Sequence, residues 1–461
     1  MDQTEEYLFP FERVPQGSRI VIYGAGVKGQ SYLRQMLMTG YCTVVALADQ
    51  NYAGYPGCVV PVCDPETIHA LAFDVVVIAL KEPLYLQEFR SVLLAQGIPE
   101  ERIIYQPSRE APLIFAAEEA AGADRSHALL LYLMGGFGDI VVQKKVIETL
   151  IALAPEVSVD IVCDKGLSFL EYLYEDTPQV RKIALNLGTH FAAEKSAYAA
   201  SLMFSGMGWI QVETLQEGRL PAKLEEVLRR LKERAALDPY VPDAPAAPVY
   251  YRSRYRKENC YQHLSYDGIV PYTDTHVHIP RNDAGRAAFQ ALGLGDYITT
   301  NFGNGDSKNL GSVAKAWPKE RFEQVIAGLH ERYPRLLVVQ LGATGATHLS
   351  GADRFVFGTS FSTVSEVLAH SRLHIDIEGG LVHLATQLGT KCVVLFGPTM
   401  ETFYGYPENI NLCAGSCHDC YGLYTDWNRC VREMREPECM YSITPEMVLE
   451  AVRKCLKQRE E

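Results

Sequence analysis

The stretch His374-Ile-Asp-Ile-Glu-Gly-Gly-Leu-Val-His383-Leu-Ala-Thr-Gln-Leu-Gly-Thr-Lys-Cys-Val-Val-Leu-Phe-Gly-Pro-Thr399 leaves this chain few folds to choose from. It reads as a strand, a glycine turn, a short apolar helix, a continuous apolar strand and a Gly-Pro-Thr loop. Strands that are apolar on both faces and alternate with helices belong to parallel sheets covered on both sides. A glycine turn ahead of a helix also sets backbone N–H groups at the helix N-terminus, where an anion such as phosphate can sit.

The same βα rhythm recurs along the chain. Arg19-Ile-Val-Ile-Tyr23, the turn Gly24-Ala-Gly-Val-Lys-Gly29, a helix over 30–38 and a strand over 43–48 make a first βαβ unit, followed by strand patterns at 73–80 and 102–105. A second pattern opens with a strand at 127–133, turns through Met134-Gly-Gly-Phe-Gly-Asp139 and continues as a helix to 153 and a strand at 157–163. Periodicity weakens from 187 to 291, apart from a charged helix at 222–234 and a stretch with Pro239, Pro242, Pro245 and Pro248. A third pattern runs from the strand at 297–300, with Pro318 in a first helical turn and strands at 336–341, 354–357 and 391–396.

With 461 residues, 48% of them hydrophobic, the chain exceeds one core. The expected division is a Rossmann-like nucleotide-binding module at 1–110, a linker at 111–126, lobes at 127–292 and 293–443 with a Cys-rich loop at 413–440, and a terminal helix at 444–461. A net charge of −13 argues against a nucleic-acid binder. The acidic start and the lack of an apolar run of roughly 18 residues make the cytoplasm the expected compartment, with membrane contact at most peripheral. Most of the twelve cysteines should be reduced core residues, Cys163 and Cys392 among them.

Several residue groups can carry chemistry. Gly24, Gly26 and Gly29, with Asp49 at the end of the next strand, match the dinucleotide fingerprint; the plain alternative is a tight βα turn with nothing bound. Asp139 is either an N-cap carboxylate or a base. When a sugar leaves a nucleotide diphosphate without a metal, negative charge grows on the leaving oxygen; Lys315 can supply a cation and the Gly379-Gly380 turn the N–H groups. His383, one turn into the following helix, can bond a phosphate or support packing. His276 and His278 alternate as on a strand but lack a third metal ligand. Cys417, Cys420, Cys430 and Cys439 can enclose a structural Zn or Fe.

The run Glu378-Gly-Gly-Leu-Val-His383-Leu-Ala, the loop Phe396-Gly-Pro-Thr399 and Lys315-Ala-Trp317-Pro318 resemble the heptosyltransferases, the family 9 glycosyltransferases of lipopolysaccharide core assembly. Their pattern is Asp-(Ser/Thr)-Gly-x-x-His-Leu-Ala, then Phe-Gly-Pro-Thr, so Glu378 replaces an Asp. The resemblance spans residues 127–455 and implies an α/β fold of the GT-B type: two facing Rossmann-like lobes, acceptor on the first and nucleotide sugar on the second. It implies inverting transfer of a heptose-like sugar from an ADP-sugar to a hydroxyl on a glycan, a lipid-linked core or a protein, with no catalytic metal. It makes Asp139 the base, Lys315 a diphosphate contact, Thr299 and Thr300 hydroxyls near the phosphates, and Glu378 a contact to donor sugar or ribose. The family's Thr-x-Pro after the Gly-Asp is absent, Gln143-Lys-Lys standing there, so a different acceptor is expected. Many relatives carry cysteines in this tail, and some protein-modifying members hold a metal there. The first domain resembles nucleotide-binding modules that accompany sugar-modifying enzymes. The competing expectations are a noncatalytic nucleotide-sugar-binding protein, an NAD-dependent oxidoreductase using the first domain, and a sugar-nucleotide epimerase.

Overall fold

The computed structural model describes residues 9–11, 13–52, 58–80, 86–106, 125–163, 166–185, 191, 194–237, 249, 252–303, 314–421 and 430–457. Nearly all of the expected linker, the Pro-rich stretch at 239–248, most of the loop from Phe302 to Leu310, and residues 422–429 of the Cys-rich loop lie outside these. The chain divides into two compact units, Met1–Ala123 with Asn186–Glu194, and Asp124–Leu185 with Lys195–Glu461.

In the first unit the described strands β1 (Arg19–Tyr23), β2 (Thr43–Ala48), β3 (Val62–Cys63), β4 (Val75–Ile78) and β5 (Ile103–Tyr105) form a parallel sheet ordered β3-β2-β1-β4-β5. Helices α1 (Val27–Thr39) and α2 (Leu86–Ala95) accompany it. The strands are apolar on both faces because each face has its own core, one around Phe9, Tyr32 and Leu33, the other around Tyr23, Ile68 and Leu93. Three glycines carry the turn after β1. Gly24 has φ +112°, and a side chain there would stand 2.9 Å from the Ala79 carbonyl; one on Gly29 would overlap the Gly24 carbonyl, while Gly26 has open space around its Cα.

The second unit holds two sheets. The first joins β6 (Leu129–Met134), β7 (Val159–Cys163), β8 (Val180–Leu185), β9 (Ala200–Ser205) and β10 (Trp209–Leu215) in the order β10-β9-β6-β7-β8. Its described helices include α3 (Phe137–Leu153), α4 (Leu167–Leu173), α5 (Ala222–Ala235) and α6 (Cys260–Leu264). The second sheet is parallel throughout, β11 (Tyr297–Asn301), β12 (Leu337–Gly342), β13 (Arg354–Phe357), β14 (His374–Ile377), β15 (Cys392–Phe396) and β16 (Ile410–Cys413), ordered β13-β12-β11-β14-β15-β16. With it go α7 (Asp283–Ala291), α8 (Lys319–Arg332), α9 (Phe361–His370), α10 (Gly380–Gln387), α11 (Glu401–Tyr404), α12 (Glu438–Tyr441) and α13 (Pro445–Lys457). These are the two facing Rossmann-like lobes of a GT-B fold. The first domain adds a third Rossmann-like sheet.

Two expectations are corrected. The region of weak periodicity contains the antiparallel hairpin β9–β10, whose second strand buries only Ile210 and Val212 and exposes Gln211 between them, too few alternations to stand out. Residues 273–280, around His276 and His278, form no strand: the segment runs along α3, where His278 N–H donates to Glu148 and Lys145 pairs with Asp274 at 2.7 Å. Val448, Val452 and Cys455 of α13 lie in the core under the second lobe's sheet. Among the described residues no helix is long and apolar enough to cross a membrane.

Candidate active site

Two helix N-termini meet where the lobes face each other. β6 ends in Gly135 (φ +131°) and Gly136, and α3 begins at Phe137; β14 ends at Ile377, and Glu378-Gly379 lead into α10. A side chain on Gly138 would stand 2.6 Å from His383 Cδ2 and 3.4 Å from Gly380 Cα, and one on Gly380 would stand 3.1 Å from Gly138 N. Glycine at these positions lets the two backbones close on each other. The N–H groups ahead of the first intrahelical bonds, Ile140 to Gly136 and Val382 to Gly379, have no acceptor within their own helices. Both helix dipoles therefore present positive ends to the same gap.

Asp139 sits in the first turn of α3 and not at its first residue. Its Oδ2 accepts from Gly136 N at 2.6 Å, closing the glycine turn on itself. Gly135, Gly136 and Gly206 ring the carboxylate, and a side chain on Gly206 would lie 3.2 Å from Oδ1. Burial raises its pKa above the ordinary carboxylate value of 3.8; Gly136 N–H, His383 and Lys315 pull it back, and Glu378 pushes it further up. Gln143 braces the turn from below, donating to the carbonyls of Met134 (2.9 Å) and Gly206 (2.8 Å). The rest of the Gln143-Lys-Lys run is structural too, since Lys144 donates to Leu173 O and Lys145 ties down Asp274.

Lys315 is not a solvated surface lysine, since only 17% of its side-chain surface is exposed. Its Nζ lies 3.2 Å from Glu378 Oε2 and 5.3 Å from the centre of the Tyr421 ring. Burial alone would lower its pKa; the Glu378 carboxylate outweighs this and leaves the ammonium above its usual value. Glu378 is buried, and although burial would raise it, Lys315 and His383 hold it down to about 2. Its other oxygen stands 3.6 Å from His383 Nε2. His383 is 1% exposed; Nδ1 bonds Tyr406 OH at 2.8 Å, and Nε2 has no hydrogen-bond partner among the described residues. Trp317, the aromatic of the Lys-x-Trp-Pro run, is an anchor: buried to 2%, it donates to Ile443 O at 3.0 Å and fixes the start of α8 to the tail.

The structure brings Asp139, Lys315, Glu378, Gly379, Gly380 and His383 together. It spends Thr299 and Thr300 elsewhere: both are buried in β11, Thr299 donating to Ser371 Oγ (3.1 Å) and Thr300 to Ile375 O (3.0 Å), so their hydroxyls hold the sheet instead of facing the gap. Thr399 Oγ1, in the Gly-Pro-Thr loop, is by contrast buried without a partner among the described residues. The sequence does not single out Tyr406 and Tyr421. Their only signal there is the density of tyrosines after the Gly-Pro-Thr loop, Tyr404-Gly-Tyr406 and Tyr421.

The Cys-rich loop packs on this loop, with Tyr421 N donating to Pro398 O at 2.8 Å and Arg254, from the turn before α6, pairing with Asp419 at 3.0 Å. Burial raises the thiols of Cys420 and Cys439, Cys439 to about 12, and the neighbouring thiols of Cys417 and Cys430 add to it. The four are therefore electrostatic neighbours. Among the described residues no group of three His, Cys, Asp or Glu side chains is arranged to hold a metal ion. In the first unit, Asp49 Oδ2 accepts from Ala25 N at 2.8 Å and Oδ1 from Asn51 N at 2.9 Å, so both its oxygens already serve the turn.

Residues 307–420 match the family model of glycosyltransferase family 9 (heptosyltransferase). The chain is heptosyltransferase-like. The match supports glycosyltransferase activity; it takes in Lys315, Glu378 and His383 and leaves out the lobe that carries Asp139. No curated protein matches the chain. Among solved structures, a family 9 glycosyl transferase from Veillonella parvula is 16% identical, covering 73% of this chain and 98% of that one, with a TM-score of 0.48. The iron-containing dodecameric heptosyltransferase TibC of enterotoxigenic E. coli, solved with ADP-D-beta-D-heptose, is 15% identical over 73% of this chain and 77% of that one, TM-score 0.48. E. coli ADP-heptose lps heptosyltransferase II is 16% identical over 72% and 100%, TM-score 0.45.

Proposed function

We propose that the chain is an inverting glycosyltransferase acting on a nucleotide diphosphate sugar in the gap between α3 and α10. Asp139 takes the proton of an acceptor hydroxyl. That oxygen bonds to the anomeric carbon from the face opposite the diphosphate, whose bond to the carbon breaks with the electron pair leaving on the phosphate oxygen. The growing negative charge meets the Lys315 ammonium and the N–H groups at the start of α10, fixed in place before reaction. Glu378, paired with Lys315, keeps the cation aimed at the gap. The observation that carries this reading is the convergence of one base, one buried cation and two helix N-termini on a single gap. An ADP-heptose-like donor follows the resemblance, and a glycan, lipid-linked core or protein hydroxyl is the acceptor class.

The first test is a thermal-shift screen of ADP-, UDP- and GDP-sugars, since a ligand that binds only the native state raises its apparent stability. The reading expects one nucleotide class to stabilise the protein and Lys315→Met to abolish the shift. A flat response to all three classes would sink it. For the first domain we propose a nucleotide site above Gly26, the one glycine of its turn with open space around it.

A further inference from the structure

A chain of buried hydrogen bonds runs from the first lobe's side of the gap to His383. Val277 N donates to Gln387 Oε1 at 2.7 Å, and Gln387 Nε2 donates to Thr275 O at 3.1 Å and to Tyr261 OH at 3.0 Å. Tyr261 OH and Tyr406 OH are 3.0 Å apart, and Tyr406 OH meets His383 Nδ1 at 2.8 Å. Tyr261 belongs to α6, which packs on the first lobe, where His263 bonds Gly208 O at 2.6 Å; Gln387, Tyr406 and His383 belong to the second.

The chain has a direction. A backbone N–H only donates and a backbone carbonyl only accepts, so Val277 and Thr275 fix which end of the Gln387 amide is oxygen. The amide nitrogen then fills the acceptor side of Tyr261, whose own proton has Tyr406 as its partner. Tyr406 in turn spends its proton on His383 Nδ1. The reverse order would leave the Tyr261 proton buried with nothing to receive it, which costs about 1–3 kcal/mol. Burial raises both tyrosines well above their ordinary values, so each keeps its proton.

We infer that Gln387, Tyr261 and Tyr406 are positioning residues that hold His383 as the neutral Nε2–H tautomer, a fixed hydrogen-bond donor aimed into the gap where the diphosphate departs. A tautomer is set by the bond the other ring nitrogen makes. His383 Nε2 is a buried polar atom without a hydrogen-bond partner among the described residues, 3.6 Å from Glu378 and next to Gly138. The inference deepens the transfer reading and rests on it for what the Nε2–H serves.

The test is a long-range 1H–15N correlation spectrum of the ligand-free protein, 15N-labelled at histidine, at pH 8, with His383 assigned from His383→Gln. The expected spectrum shows the proton on Nε2 and an Nδ1 resonance displaced by an accepted hydrogen bond. Tyr406→Phe, which keeps the ring and removes the donor, should move that resonance toward the value of an unbonded acceptor nitrogen. Tyr261→Phe, acting one step back, should move it the same way by less, and it serves alone if Tyr406→Phe does not fold. A proton on Nδ1, an imidazolium at this pH, or an Nδ1 resonance indifferent to the substitutions overturns the inference. The spectra need no substrate, so a protein that transfers no sugar still reports on the relay, and a missing relay leaves the transfer assay standing.

Discussion

Gly138 and Gly380 meet backbone to backbone across the gap, with room for a hydrogen on each α-carbon and for nothing larger. A methyl group on Gly138 would press on His383 Cδ2 at 2.6 Å and on Gly380 Cα at 3.4 Å; on Gly380 it would press on Phe137 Cβ at 2.9 Å. Overpacking of this kind costs about 1–3 kcal/mol. Gly138→Ala is expected to lower Tm and, by shifting the two helix ends apart, to lower kcat about 100-fold. Wild-type turnover with the alanine in place would show that the closed contact is not needed for the chemistry.

Asp139→Asn separates the base from the bystander. Turnover should fall about 100- to 10,000-fold. Burial has raised this pKa, so the carboxylate is disfavoured in the folded state; the stability that the acid form brings at low pH is lost as pH rises through the raised value. Tm of the asparagine variant at pH 7 should therefore be no lower than wild type. The wild-type kcat/KM should drop on the acid side at a pH above the usual carboxylate range. Near-normal kcat in the folded variant removes Asp139 from the mechanism.

Glu378 behaves in the opposite sense. Its pKa is held down to about 2, so its stabilisation is complete above the unfolded value of about 4.5 and is lost as pH falls toward 2. The stability gap between wild type and Glu378→Gln, followed by denaturant titration, should be constant at neutral pH and close within that acid window. Lys315→Met leaves the buried carboxylate without its main partner and should cost about 3–5 kcal/mol at pH 7. An unchanged gap across the acid range would mean the pair does not form in solution.

The first domain offers a control in two glycines. Gly29→Ala would overlap the Gly24 carbonyl and should destabilise the domain, whereas Gly26→Ala meets nothing within 4 Å and should leave Tm unchanged. If a nucleotide lies over the turn, Gly26→Ala should nonetheless weaken NAD or ADP binding at least tenfold by calorimetry, the Cβ occupying the space a pyrophosphate needs. Equal binding by wild type and variant, or none by either, would leave the turn a purely structural one.

The sheets were readable because their strands are largely apolar on both faces, as β15 shows, and the glycine turns announced where helices begin. The hairpin β9–β10 escaped notice because an edge strand with two buried side chains carries little periodic signal. Asp139, Lys315, Glu378 and His383 could be picked out with the help of the family resemblance, yet two of their relations could not. Nothing in the sequence says that Lys315 spends its charge on Glu378, since 63 positions separate them. Thr299 and Thr300 stand at a strand end like ligands, but hydroxyls in a buried strand are drawn to neighbouring carbonyls first. The tyrosine relay depends on which way an amide points, and that is set by the backbone of a distant segment.

Arg254 reaches from the turn before α6 to Asp419 on the loop that seats Tyr421 over Lys315. With 47% of the arginine side chain in solvent, such a latch is worth about 0–1 kcal/mol and weakens as salt screens it. The hold of that loop on the segment before α6 should therefore slacken as ionic strength rises, like a catch on a light spring.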